Sequence, residues 1–160
     1  MRINLTKAEL HICRILGLMR RSTALDKVVD QQMGKQSPWE IDMNGMIAEY
    51  CVAKALNVCP DLTISVRSGG KDLETPGGWS VDVKSTTYKD GRLLCTLSKA
   101  NQPCDFYVLV VTDDEGGTIA GWAAKEDIFL DKNKQDLGHG VGYAINQVDL
   151  NHNIEKLMYK

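Results

Sequence analysis

The sequence lacks any run of about 18 apolar residues, so a transmembrane helix is not expected. Its N-terminus, Met1 to Thr6, is too polar for a secretory signal. It also lacks a C-x-x-C pair, and its five cysteines are an odd number, which favours neither a disulfide framework nor a zinc site. These absences predict an intracellular, cytoplasmic protein in a reducing compartment, with no membrane partner.

An excess of positive charge is missing too, because 19 lysines and arginines stand against 21 acidic residues, for a net charge of −2. Binding of nucleic acid would therefore depend on a local basic patch rather than on the field of the whole protein. With 160 residues, 43% of them hydrophobic, the chain is long enough to build its own core. We expect a single domain over residues 1–160.

The sequence does contain a stretch, Lys71 to Lys84, with the features of a β-hairpin. Apolar and polar side chains alternate from Trp79 to Lys84, as in a half-buried strand. Pro76-Gly77-Gly78 is a turn sequence, and a loop of these three residues fixes the register of the two strands. That register pairs Thr75 with Trp79, Glu74 with Ser80, and Asp72 with Asp82. A register shifted by one residue is the alternative.

The predicted hairpin brings like charges together. Directly opposed side chains have Cβ atoms roughly 4.5–5.5 Å apart, so the carboxylates of Asp72 and Asp82 repel each other. A divalent cation such as Mg²⁺ or Mn²⁺ would relieve that repulsion, because carboxylate oxygens are its natural ligands. Lys84 follows on the strand face of Asp82, where an ammonium can position a water, help to deprotonate it, or stabilise negative charge. Glu74 projects to the side of Asp72 and could hold a second ion or a water.

A further acidic residue of interest, Glu49, precedes the hairpin. Residues 45–58 are expected to form a helix whose only charged members are Glu49 and Lys54, and a helix that is apolar nearly all round is buried. Glu49 is therefore a candidate buried carboxylate, and such groups are rare unless they are paired or bound to metal. An ion pair of Glu49 with an arginine or with Lys54 is the simpler alternative.

The remaining patterns predict a mixed α/β domain. Helices are expected at Thr6–Met19, opened by a capping box, and at Asp26–Gln36, with a linker at Lys35–Trp39. Further strands are expected at Leu62–Val66, at Arg92–Leu97 after an Asp90-Gly91 hairpin turn, at Phe106–Val111 in the sheet centre, and at Thr118–Ala124. Asp113–Gly117 reads as a turn, Lys125–Ile128 as a helical turn, and Asp131–Gly142 as a polar loop; Val148–Met158 stays unassigned.

These residues resemble the PD-(D/E)XK nuclease superfamily, which has the restriction-endonuclease-like fold. The matching positions are Glu49 in the helix, Asp72 as the first acidic residue, and Asp82-Val83-Lys84 as the D-x-K element. The resemblance implies a metal, Mg²⁺ or Mn²⁺, held by Asp72, Asp82 and the carbonyl of Val83. It also implies Glu49 as a direct or water-mediated ligand and Lys84 as the residue that activates the water.

The resemblance further implies an α/β architecture, with a mixed central sheet flanked by helices, over a core at residues 44–124. Residues 1–40 are then a helical addition. Small phage-encoded members have a similar layout, with Asn44-Gly45 before the glutamate helix and Gly121-Trp122 late in the chain, which implies the host-cell cytoplasm. Two departures stand out. Lys71 replaces the proline of the motif, and residues 97–105 leave little room for a second core helix, which must be short or missing.

The expected function is a Mg²⁺- or Mn²⁺-dependent deoxyribonuclease, an endonuclease on DNA. The alternatives are a non-cleaving nucleic-acid-binding module on the same fold and a small phage interaction protein. Candidate phosphate contacts are Arg67 and Lys71, with Ser85, Arg14 and Arg21 as further candidates. Asp82 and Lys84 could instead lie on a solvated strand face. The basic side chains of the first helix, Lys7, His11, Arg14 and Arg21, could likewise face solvent, and the tryptophans are more typical of packing than of base stacking. A homodimer is compatible with the sequence, but no interface stripe stands out.

Overall fold

The computed structural model describes residues 1–24, 37–64, 70–138 and 140–159. Across these ranges the chain is a mixed α/β protein with three α-helices, a five-stranded mixed sheet and a three-stranded antiparallel sheet. The helices are α1 Lys7–Ala24, α2 Pro38–Ala55 and α3 Lys125–Ile128. The strands are β1 Arg2–Asn4, β2 Leu73–Glu74, β3 Ser80–Thr86, β4 Leu93–Thr96, β5 Phe106–Asp113, β6 Gly116–Ala124, β7 Lys134–Asp136 and β8 Val141–Ile145.

The larger sheet has the order β1-β6-β5-β3-β2, in which β3 and β5 are parallel and the other pairs antiparallel. The prediction of a central strand at Phe106–Val111 is confirmed, because β5 lies between two partners and its residues Tyr107 to Val110 are buried. One face of the sheet packs against α2. The other face packs against β4 and β8 of the smaller sheet, whose order is β4-β8-β7.

Both long helices begin at capping boxes. Thr6 and Glu9 exchange backbone and side-chain hydrogen bonds as predicted, and α1 then runs on to Ala24, beyond the expected end. At α2, Ser37 and Glu40 form a second capping box with Pro38 at the first turn, so the helix starts inside the segment predicted as a linker. The helix predicted at Asp26–Gln36 lies outside the described residues.

The hairpin predicted at Asp90-Gly91 is wrong. β4 pairs with β8 rather than turning back onto β3. The cause is the parallel pairing of β3 with β5, because parallel strands need a crossover and cannot be joined by a tight turn. Residues 87–105 supply that crossover, with β4 in the second layer and a 3₁₀ turn, Leu97–Asn101, standing where only a short second helix was expected.

Two other regions also differ from expectation. The predicted loop at Asp131–Gly142 contains β7 and the start of β8. Glycine suggested a loop, but Gly142 lies in a strand where the neighbouring strand comes too close for a side chain: a Cβ there would be 2.7 Å from the carbonyl oxygen of Cys95. Residues 62–64 form no strand, and the rest of that predicted strand lies outside the described residues. Arg2–Asn4, inside the expected helical addition, instead forms the edge strand beside β6.

Other predicted elements are confirmed, namely the turn between β5 and β6, strand β6 and the helical turn α3. The unassigned C-terminal stretch contributes a bridge from Asn151 to Trp122 and a 3₁₀ turn, Ile154–Leu157. The five cysteines are free thiols, and all except Cys59 are buried. Among the described residues, no helix is long and apolar enough to cross a membrane.

Candidate active site

The hairpin that carries the acidic pair has the predicted register. Leu73 pairs with Val81 and Glu74 with Ser80, and the Thr75 N–H donates to the Trp79 carbonyl at 2.9 Å. The regular ladder ends at Leu73 and Val81. The Asp72 N–H donates to the carbonyl of Val81 at 2.8 Å, which places Asp72 beside the segment of β3 that carries Asp82. The turn residues Pro76 to Gly78 therefore close the loop that places the two carboxylates on neighbouring strands.

Asp82 is buried, with 2% of its surface exposed, so the expectation of a half-buried strand is wrong at this point. The smaller sheet and the 3₁₀ turn Leu97–Asn101 cover the face that the alternating pattern assigned to solvent. Both carboxylate oxygens of Asp82 are bound: Lys84 Nζ donates to Oδ1, and Lys99 Nζ donates to Oδ2 at 2.6 Å. The interpretation of Asp82 and Lys84 as a solvated strand face is therefore excluded.

Asp72 is held differently. Its Oδ2 accepts a hydrogen bond from the backbone N–H of Val83 at 2.7 Å. Burial, together with the negative charges of Glu49 and Asp82, raises the pKa of Asp72 to about 6, against smaller opposing effects of the Val83 N–H and of Lys84. The three predicted carboxylates are thus close enough to perturb one another.

Glu49 lies on α2 with 13% of its side chain exposed and pairs with Arg20 of α1, Oε2 to Nη1, at 2.9 Å. The simpler alternative, an ion pair with an arginine, is therefore confirmed, while Lys54 pairs instead with Glu9 at 2.9 Å. Arg20 also donates to the carbonyls of Asp61 at 2.6 Å and Thr63 at 3.0 Å. One guanidinium thus fixes Glu49 beside the chain that leads to the hairpin.

Lys84 is an ammonium in a mostly enclosed position. Burial lowers its pKa, but the charge and the hydrogen bond of Asp82 together outweigh burial and raise the pKa above the ordinary lysine value. Its Nζ also lies 5.8 Å from the centroid of the Tyr107 ring, on the adjacent strand. The side chain is therefore charged at neutral pH.

The other predicted residues converge less well. Lys71 pairs with Glu74 at 2.7 Å on an exposed part of the hairpin, and Arg67 lies outside the described residues. Ser85 follows Lys84 on β3 and projects to the opposite face of the sheet.

The structure does not bring the two arginines predicted on α1 to the carboxylates. Arg14 approaches Asp114 at 3.4 Å, at the end of β5 farthest from Asp82. Arg21 is largely enclosed and lies 3.8 Å from Asp42.

Sequence reasoning missed Lys99. It stands in the crossover turn Leu97–Asn101 and reaches Asp82 from 17 positions away. The sequence did offer one indication of this residue. Residues 97–105 are the place expected for the second core helix, and Lys99 is the only basic residue in that segment. The turn is not a regular helix, however, so no periodicity pointed its side chain at the site.

The donor chemistry of the site fits a hard divalent cation. Within residues 1–24, 37–64, 70–138 and 140–159, no group of three or more His, Cys, Asp or Glu side chains is gathered tightly enough to hold a metal ion. The pairing explains this, because Arg20 holds Glu49 while Lys84 and Lys99 hold Asp82. Asp72, whose pKa is raised by burial and by the neighbouring carboxylates, adds a further oxygen donor, and oxygen donors are the ligands that Mg²⁺ prefers.

The tryptophans near the site act in packing, as expected. Trp79 and Trp122 both meet the ring of Phe106 edge to face, with centroids 5.4 and 5.1 Å apart. Trp79 and Phe106 also line an open cavity of about 480 Å³ with Cys104, Lys125 and Phe129 among its walls. The cavity lies at the start of β3 and β5, beside the turn that carries Lys99.

Comparison with known proteins identifies a family whose function is unknown. The model of one family, the family of unknown function DUF5843, matches residues 1–117. No curated protein and no solved structure matches the chain. The matched range contains both long helices, the hairpin and the 3₁₀ turn, and therefore every described residue that is placed here at the carboxylates.

Proposed function

This chain belongs to DUF5843, a family of unknown function, and we propose that it is a Mg²⁺- or Mn²⁺-dependent nuclease that hydrolyses DNA phosphodiester bonds. The observation that carries the proposal is the setting of Asp72. Its pKa is raised to about 6 by burial and by Glu49 and Asp82, while an ammonium, Lys84, stands on the adjoining strand. Carboxylates and a lysine in this arrangement are the components of metal-assisted phosphodiester hydrolysis.

The topology is compatible with a restriction-endonuclease-like core. Helix α2 supplies Glu49, the hairpin β2–β3 supplies the acidic pair, and β5 lies parallel to β3 after a crossover with a short 3₁₀ turn. The resemblance implies the order helix, three strands, helix and strand. Here the third strand, β4, lies in the smaller sheet, and a 3₁₀ turn takes the place of the second helix. We propose that residues 44–124 form this core, although fold alone does not fix an activity.

The ligands that this chain offers are the carboxylates of Asp72 and Asp82 and the carbonyl of Val83, with Glu49 as a further ligand, directly or through water. The N–H of Val83 points to Asp72, and in a strand the N–H and C=O of one residue face the same edge, so the carbonyl faces that edge too. A bound ion would stabilise charge on the phosphate and lower the pKa of a water.

Lys84 acts as a cation in this scheme. Because its pKa is raised, the side chain donates hydrogen bonds to the attacking water or to a phosphate oxygen and does not serve as the base in its resting state. Hydrolysis joins the water oxygen to phosphorus and breaks one bond between phosphorus and a deoxyribose oxygen, which takes up a proton. An ammonium that remains charged stabilises the negative charge that develops on the phosphate.

One observation favours the non-cleaving nucleic-acid-binding module as a second candidate. Two acidic groups of the site are already paired with basic side chains, Glu49 with Arg20 and Asp82 with Lys84 and Lys99. A binding module on this fold could keep such pairs for stability alone. It predicts salt-sensitive binding of DNA with no turnover.

A cleavage assay tests the proposal. The full chain is incubated with supercoiled, linear and flapped DNA in Mg²⁺, in Mn²⁺ and in a chelator, and we expect nicking or degradation only with metal. Lys84→Met should lower the rate by about 10²–10⁴-fold, whereas Lys89→Met, an exposed lysine in the following loop, should cleave like the wild type. Cleavage by Lys84→Met at the wild-type rate would refute the role of Lys84, and metal-independent DNA binding without any product would favour the second candidate.

A further inference from the structure

We infer that Lys99 is a second functional cation of this site, one that neutralises Asp82 when no metal is bound and contacts the substrate phosphate when a metal replaces it. The inference rests on the proposed nuclease function and goes beyond it in one respect. It assigns to a residue outside the recognised motif a part in both metal affinity and turnover.

The starting point is that both oxygens of Asp82 already accept a hydrogen bond from an ammonium. Lys84 Nζ donates to Oδ1 and Lys99 Nζ donates to Oδ2 at 2.6 Å, so a metal bound to either oxygen would lie beside a lysine. An ammonium and a divalent cation on the same carboxylate also repel each other. Metal binding at Asp82 therefore includes the cost of displacing a lysine.

The two lysines are not equivalent. Lys84 lies on the same strand as Asp82 and is also held over the ring of Tyr107. Lys99 comes from a separate turn, and within the described part of the chain Asp82 is the only side chain that accepts a hydrogen bond from its Nζ. Lys99 is thus the ammonium that loses fewer contacts on leaving, and we assign the displacement to it.

The backbone of Lys99 is anchored while its side chain can move. Its carbonyl accepts hydrogen bonds from the Tyr107 hydroxyl at 3.3 Å and from the Gln102 N–H at 3.1 Å. The flexible stem of a lysine can therefore swing from Asp82 while the Cα stays beside the site. The released ammonium would stay near Asp82, within reach of a phosphate held at the site.

This arrangement predicts two effects of opposite sign. Lys99→Met removes a competitor for Asp82, so Mn²⁺ should bind at least threefold more tightly than to the wild type. The same variant lacks the phosphate contact, so at saturating Mn²⁺ kcat/KM for DNA should fall at least tenfold. A lysine with only a structural role would weaken both properties together or leave both unchanged.

The experiment measures Mn²⁺ affinity from the electron paramagnetic resonance signal of free Mn²⁺, and cleavage kinetics separately, in the full chain. Lys99→Arg keeps the charge and should bind Mn²⁺ within twofold of the wild type, which guards against a folding defect in the methionine variant. Lys132→Met, in an exposed turn after α3, is the control for loss of one positive charge.

The outcomes separate the two proposals. A wild type that binds Mn²⁺ and cleaves DNA, with a Lys99→Met variant that binds Mn²⁺ no more tightly or cleaves equally well, overturns the role of Lys99 and leaves the nuclease in place. A wild type that neither binds Mn²⁺ nor cleaves DNA overturns both. Tighter binding in Lys132→Met of the same size as in Lys99→Met also overturns the inference, because the effect would then be one of net charge.

Discussion

The carboxylate of Asp72 accepts a hydrogen bond from the backbone N–H of Val83 across the hairpin, at 2.7 Å. This bond fixes Asp72 against the strand that carries Asp82 and Lys84, although Asp72 itself precedes the short strand β2. The hydrogen bond favours the charged carboxylate, yet burial and the neighbouring Glu49 and Asp82 favour the neutral one and prevail. The fold therefore keeps the Asp72 carboxylate in a position where its ionised form is disfavoured.

A pH-dependent loss of stability follows from this conflict. The folded-state pKa of Asp72 is about 6, above its ordinary value of 3.8, so between these values the folded chain binds more protons than the unfolded chain. Stability from this group is therefore present below about pH 4 and is lost as the pH rises through about 6. Asp72→Asn removes the effect and should stabilise the metal-free protein at pH 7.5 by about 1–3 kcal/mol.

The measurement is urea denaturation of both proteins from pH 4 to 8 without metal. The difference between their free energies of unfolding isolates Asp72 from acids such as Glu9 and Asp113, whose pKa values are lowered and whose contributions have the opposite sign. Addition of Mn²⁺ should raise the melting temperature of the wild type and not that of Asp72→Asn. A difference between the two proteins that stays constant with pH would contradict the assignment.

The pair of Arg20 and Glu49 is expected to be energetically coupled. Arg20→Met leaves a largely enclosed carboxylate beside Asp72 with its main described partner removed, and should cost about 2–4 kcal/mol. Glu49→Gln should cost less, because it also removes one negative charge from the cluster. The variant with both substitutions should lose about 1–3 kcal/mol less free energy of unfolding than the two single losses add up to.

Denaturation of the four proteins of this cycle, at one pH and in a chelator, gives the coupling free energy. Lys54→Met serves as the control, since Lys54 pairs with Glu9 on the exposed side of the same two helices and should cost no more than about 1 kcal/mol. Additive effects of Arg20→Met and Glu49→Gln would show that the 2.9 Å contact contributes nothing specific.

The hairpin was predictable because its determinants are local. Three turn residues and an alternating strand fix the pairing of Thr75 with Trp79 and of Glu74 with Ser80, and this pairing brings Asp72 beside the strand of Asp82. The capping box at Thr6 was predictable for the same reason, since all its partners lie within one turn. Both features need no information from distant parts of the chain.

The pairing partners of the site were not predictable in this way. Glu49 meets Arg20 across 29 positions and Asp82 meets Lys99 across 17, contacts that depend on helix packing and on the path of the crossover. The burial of Asp82 also depends on the smaller sheet, whose strands come from residues 93–96 and 134–145. A period-2 pattern identifies two faces of a strand, but it does not reveal that a second layer covers the polar one.

The contact between the two long helices gives the last prediction. A Cβ on Gly17 of α1 would lie 2.7 Å from the Cα of Met43 and 2.8 Å from the carbonyl oxygen of Asp42, both backbone atoms of α2. Neither can move aside as a flexible side chain would, so Gly17→Ala must push the helices apart. The cost of overpacking should exceed the gain in helix propensity, for a net loss of about 1–2 kcal/mol.

Gly45 is the matched control, because it also lies inside a long helix, yet an added Cβ there meets nothing within 4 Å. Gly45→Ala should therefore stabilise the protein by about 0.5–1 kcal/mol. Denaturant titrations of the two variants against the wild type should give free-energy changes of opposite sign. Because the α1–α2 contact also aligns Arg20 with Glu49, Gly17→Ala should in addition reduce the coupling free energy of that pair. Stabilisation by both alanine substitutions would show that the helices are not in close backbone contact at Gly17.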